Sequence, residues 1–127
     1  MPYIAKDAPS TFIDQAYKNA KGNTECAHFV QQVTGAPSTS AWKKGVKVKG
    51  AAAGTITPGT AIATFDENDK YPTDSLGRHA AVYVSHSPEG ITVVDQWNAQ
   101  GKVKQRTIRY GKPGSRSNNG DTFYVIE

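Results

Sequence analysis

Apolar residues recur along this chain in two rhythms, a helical one near the start and a strand-like one over the second half. Ile13, Ala16, Tyr17 and Ala20 stand at helical spacing, and Thr11 with Asp14 three residues on resembles a capping box. With Gly22 able to end the run, the pattern predicts a first short helix. A second helix is predicted directly after it. Cys26, Phe29, Val30 and Val33 fall at i, i+3, i+4 and i+7, Asn23 or Thr24 can cap it, and Gly35 can close it before Pro37. Cys26 then lies in the first turn, on the apolar face.

Residues 35–58 are rich in Gly, Ser, Thr and Lys, with Trp42 as the one large anchor, and predict a long surface connection with few regular elements. After the turn signal Pro58-Gly59, residues 60–65 have the β-branched and aromatic content of a strand, and 66–77 read as a polar loop. Four more short β-rich runs follow at 79–84, 91–97, 103–110 and 122–126, separated by Gly, Pro, Asn or Ser. Helices first and strands afterwards is the order of an α+β domain: N-terminal helices packed on a small antiparallel β-sheet, with the Cys26 helix against one face. No internal repeat is present, and 127 residues suit a single domain over 1–127.

With 37% hydrophobic and 20% charged residues the chain has enough apolar material for a core, and no apolar run approaches the ~20 residues that span a bilayer. Membrane insertion is not expected, and a monomer is. The start, Met-Pro-Tyr-Ile-Ala-Lys-Asp, has neither the basic flank nor the apolar stretch of a signal peptide. The expectation is synthesis in the cytoplasm, with dedicated machinery for any export. The net charge of +4 favours polyanions in general. Lys43, Lys44, Lys47 and Lys49 cluster without interleaved aromatics, so nucleic-acid binding is not expected.

One cysteine excludes an intramolecular disulfide and a cysteine-rich zinc site, and no metal or cofactor is expected. Cys26 is therefore core filler or chemistry. The first turn of a helix lowers a thiol pKa, since unpaired N–H groups favour the thiolate there. A base must both activate such a nucleophile and protonate the leaving amine. Of the three histidines, His28 sits two residues from Cys26 on the same helix and points elsewhere, and His86 lies in a hairpin loop by composition. His79 opens a strand of small and apolar residues, where an imidazole can lie under the helix start. If 79–84 and 91–97 form a hairpin, Asp95, Gln96 and Trp97 come opposite His79. Period two sends Asp95 and Gln96 to different faces, so only one can orient the imidazole. Asp95 is favoured, with Gln96 as the alternative third residue.

At these residues the chain resembles a known superfamily. Glu25-Cys26-Ala27-His28-Phe29-Val30 is similar to the nucleophile helix of the NlpC and CHAP cysteine peptidases, and Gly77-Arg78-His79-Ala80-Ala81-Val82-Tyr83-Val84 to their His-bearing strand. Ile91-Thr92-Val93-Val94-Asp95-Gln96-Trp97 resembles the next strand, which carries the polar third residue. The layout, with Ser40-Ala41-Trp42-Lys43-Lys44-Gly45 and Gly59-Thr60-Ala61-Ile62-Ala63-Thr64-Phe65, is similar to a small bacterial subgroup that resembles the type VI secretion amidase toxins. Many members have Asp before the cysteine, where this chain has Glu25.

The resemblance implies a papain-like core and a peptidoglycan amidase or endopeptidase that cleaves stem peptides by a Cys26–His79 thiol mechanism. It also implies export from a bacterial cytoplasm into a target cell's periplasm, and a cognate immunity protein as partner. Two other readings stay open on the residues: a non-catalytic wall-binding or adaptor module, and an acyltransferase or deamidase using the same Cys–His pair.

Overall fold

The computed structural model describes residues 1–127. The run that begins at Cys26 folds into one α-helix, α1 (Cys26–Thr34), with Phe29 and Val30 fully buried on its inner face. Gly35 ends it at φ 77°, a left-handed conformation that glycine adopts without a Cβ clash, and its N–H bonds the Gln31 carbonyl. The cap differs from the expectation. Glu25 is the N-cap and makes no side-chain cap bond, while the hydroxyl of buried Thr24 donates instead to the Trp97 carbonyl at 3.2 Å.

Six strands follow: β1 (Lys44–Lys47), β2 (Ala61–Thr64), β3 (Ala80–His86), β4 (Gly90–Asp95), β5 (Lys104–Arg109) and β6 (Phe123–Ile126). They form one antiparallel sheet in the order β1-β6-β2-β3-β4-β5. The stretch β2 to β5 is the expected meander, but β6 crosses back to lie between β1 and β2. Strand alternation splits the core in two. Ala61, Ala63, Ala80, Val82 and Val94 meet Phe29 and Val30 of α1, which packs on β3. Ile62, Ala81, Tyr83, Ile91, Val93, Phe123 and Val125 face the other way, covered by Val48 and Ile56. No helix is long and apolar enough to cross a membrane.

The first predicted helix does not form. Only a 3-10 turn, Pro9–Phe12, is present, and Asp14 has φ 70°, which breaks a right-handed helix. The Asp14 N–H bonds the Val103 carbonyl and the Val103 N–H bonds the Gln15 carbonyl, so bonds to distant backbone replace local ones. The helical spacing still had a cause: Phe12, Ile13 and Tyr17 pack on the α1 side of the core, with the Phe12 and Phe29 rings edge to face at 5.8 Å. The 35–58 connection is also more structured than predicted. It carries a 3-10 turn at Thr39–Ala41 and edge strand β1, and it buries Trp42, Val48 and Ile56.

Candidate active site

The start of α1 is held against the extension of β4 by hydrogen bonds from one side chain. Fully buried Gln96 accepts from the Tyr17 N–H at 3.0 Å and donates to the carbonyls of Tyr17 at 2.8 Å and Glu25 at 3.0 Å. Its hydrogen-bonding capacity is thus used on the segment that leads into Cys26. Of the two candidates for the third position, the bond to the imidazole belongs to Asp95. His79 Nε2 and Asp95 Oδ2 are 2.6 Å apart, with His79 4% and Asp95 0% exposed.

His79 stands one residue before β3. Alternation puts it on the Ala81 and Tyr83 face, away from α1, where Phe123 packs edge-on at 6.3 Å and Trp97 flanks it at 6.1 Å. It meets Cys26 where the end of the strand reaches the start of α1. Asp95 engages Nε2, which leaves Nδ1 for the sulfur. Burial pushes the Cys26 thiol up, but the hydrogen bond and charge of His79, the Ala80 N–H and the Tyr71 hydroxyl together hold it below its ordinary 9.0. Burial pulls His79 down, and the bonds to Asp95 and Cys26 outweigh it, lifting the imidazole to about 9. Each group favours the charged form of the other, the pattern of a thiolate–imidazolium pair.

Two members of the cluster were not anticipated. Tyr71, in the 66–77 loop, puts its hydroxyl 3.7 Å from Cys26 Sγ, and its ring is fixed edge-to-face against Trp42 at 4.8 Å. Burial and the neighbouring Cys26 push that hydroxyl far above the usual phenol range, so it remains a proton donor at every working pH. Arg106 on β5 donates from Nε to Asp95 Oδ2 at 2.8 Å while its guanidinium lies over the Trp97 ring at 4.9 Å. No local pattern marks either residue: one depends on the path of a loop, the other on the β4–β5 register.

Cys26 opens onto a cleft of about 370 Å³ whose walls include Glu25, His28, Tyr71 and Arg78. His28 is half-buried there rather than exposed, without a bond to the sulfur. His86 is a strand residue, not a loop one. Its ring nitrogens engage the Tyr83 hydroxyl at 2.6 Å and the Ala51 carbonyl at 2.7 Å, away from the cleft. Because a carbonyl only accepts, Nε2 carries a proton there. No group of three or more His, Cys, Asp or Glu gathers as a metal site.

A helix-start thiol, a raised imidazole, a carboxylate behind it and an open cleft make an arrangement able to transfer an acyl group. The model of the family "Domesticated amidase effector 2" matches residues 3–126. A protein of that name from Ixodes scapularis is 44% identical over 107 residues, covering 81% of this chain and 70% of the relative. A type VI secretion amidase effector 2 protein from Salmonella typhi is 31% identical over the full length of both. The solved structure of a type 6 secretion amidase effector 2 superposes with a TM-score of 0.85 at 29% identity, covering 98% of this chain and 94% of the other.

Proposed function

The chain belongs to the domesticated amidase effector 2 family, and from that premise we propose that it is a peptidoglycan amidase or endopeptidase that cuts stem peptides with Cys26 as nucleophile, His79 as acid and base, and Asp95 as the group that orients the imidazole. The observation that carries this reading is the coupling at the mouth of the cleft: a helix-start thiol held below its ordinary pKa beside an imidazole whose far nitrogen Asp95 grips at 2.6 Å. The relatives' names, amidase effectors, support the reaction class.

In this mechanism the Cys26 thiolate attacks the scissile carbonyl, forming the C–S bond as the carbonyl π pair moves to oxygen. The Tyr71 hydroxyl and the backbone N–H of Cys26 donate to that oxyanion, the first standing 3.7 Å from the sulfur. The His79 imidazolium passes its proton to the amine nitrogen as the C–N bond breaks, leaving a thioester. Water then loses a proton to His79, attacks the thioester and frees the acid, and the thiolate departs as it began. Asp95 holds the ring by Nε2 throughout, so Nδ1 is the nitrogen that handles the proton.

The same reading takes residues 1–127 as one catalytic domain with the papain-like core of the NlpC and CHAP superfamily. It also takes the protein to be made in a bacterial cytoplasm, delivered into a target periplasm, and neutralised in its producer by an immunity protein seated over the Cys26 cleft. The test is to incubate the protein and Cys26→Ala with purified sacculi and resolve the released fragments by mass spectrometry. Stem-peptide fragments that depend on Cys26 are expected. Identical digests from the two proteins on several wall types would remove the hydrolase.

A further inference from the structure

Four arginines occur in the chain, and three have carboxylate partners: Arg106 with Asp95, Arg109 with Glu89, and Arg116 with Asp74. Arg78 has none within 4.0 Å, and it is the one that lines the Cys26 cleft. The acidic wall of that cleft, Glu25, already accepts from the Asn19 side-chain amide at 2.5 Å. The guanidinium of Arg78 is therefore the cation of the cleft wall without a carboxylate partner.

Its backbone is held firmly for so exposed a residue. Gly77 just before it has φ 99°, and a Cβ there would run into the Ser115 hydroxyl. The Ser117 hydroxyl donates to the Arg78 carbonyl at 3.0 Å, and Arg116, itself clamped on Asp74 at 2.6 Å, reaches the Gly77 carbonyl at 3.4 Å. The side chain lies over the Tyr71 ring, 5.9 Å from its centre, and Trp42 fixes that ring from another side. A planar, permanently charged fork on a fixed platform matches a carboxylate by two parallel hydrogen bonds.

We propose that Arg78 forms a carboxylate-binding subsite, and that it selects stem peptides bearing a free carboxylate next to the scissile amide over those in which that group is an amide. The inference rests on the hydrolase reading above and adds to it the charge that the substrate must carry. A bidentate, charge-assisted hydrogen bond of this kind is worth about ten- to a hundredfold in kcat/KM.

The experiment uses a synthetic crosslinked stem-peptide dimer and derivatives in which one carboxylate at a time is converted to its carboxamide. kcat/KM is followed by chromatography and mass spectrometry for the native protein, Arg78→Gln and Arg78→Lys, each shown folded by its melting curve. One carboxamide derivative is expected to fall about ten- to a hundredfold below the parent with the native protein. Arg78→Gln should close that gap, and Arg78→Lys, which keeps the charge without the fork, should retain part of it. Equal rates on every derivative, or a gap that survives in Arg78→Gln, overturns the subsite while the hydrolase stands. A native protein that cuts no form of the dimer overturns the hydrolase, and the subsite with it.

Discussion

Cys26 and His79 perturb each other in opposite senses, with separate consequences for reactivity and stability. Alkylation of Cys26 by iodoacetamide, followed against pH, should show a midpoint below the ordinary 9.0, and His79→Ala should move it upward because the Ala80 N–H and the Tyr71 hydroxyl then oppose burial without the imidazole. Hydrolysis should lose its basic limb near pH 9, where His79 gives up the proton the leaving amine needs. Stability behaves differently. His79 is raised from 6.5 to about 9, so its contribution is full below 6.5 and lost as pH rises through 9. Cys26 is lowered from 9.0, so its contribution is present above 9.0 and lost as pH falls through its folded value. Above 6.5 and above the folded thiol's own midpoint, but below about 9, the folded thiolate–imidazolium pair and the unfolded thiol with neutral imidazole hold the same number of protons. Urea unfolding should therefore show no slope from this pair where alkylation has reached its plateau, and a slope where alkylation is still rising. Asp95→Asn should keep the fold's outline and lower kcat by about three to four orders of magnitude, since the amide can present the wrong partner to Nε2 and loses its charge-assisted bond from Arg106. Steady-state kinetics on stem-peptide fragments measures it.

At the level of elements, α1 is short, and its position depends on one polar residue as much as on its apolar face. Gln96→Ala would leave the Tyr17 N–H and carbonyl without these partners and take from the Glu25 carbonyl one of its two bonds, the other coming from the Phe29 N–H, so we expect a loss of about 2–4 kcal/mol in urea unfolding, and a fall in kcat even where the protein is folded, because the start of α1 is freed. That arrangement also explains how much of the site could be read from sequence. The Cys26 helix follows from its i, i+3, i+4, i+7 spacing, and Asp95 from the hairpin: Val82 pairs with Val94, which sets His79 and Asp95 two steps apart along the continued register. Arg106 pairs opposite Val93 and reaches Asp95 diagonally, a contact that depends on the β4–β5 register. Tyr71 sits in a loop whose path no periodicity encodes. The failed helix at 11–22 has the same physical origin: Asp14 and Gln15 exchange local bonds for bonds to Val103, a partner nearly ninety residues away along the chain.

Across the whole molecule, the sheet's two edges are basic. β1 carries Lys44 and Lys47, and β5 carries Lys104, Arg106 and Arg109, long charged side chains on short edge strands that disfavour pairing with the edge of a second copy even where a carboxylate accompanies them. A monomer is expected by light scattering even at high concentration. The position of β6 has a larger consequence. Phe123 is fully buried, so Phe123→Ala should cost about 3–5 kcal/mol, read by urea unfolding, and a chain ending at residue 122 should show no cooperative transition. Because β6 joins β1 to β2, a growing polypeptide has every other strand in hand before its sheet can close. Synthesis runs from the other end, so Cys26 and His79 emerge early while the structure that brings them together waits for residues 123–126. A chain still short of residues 123–126 is then expected to be inactive, with activity appearing only once β6 is in place.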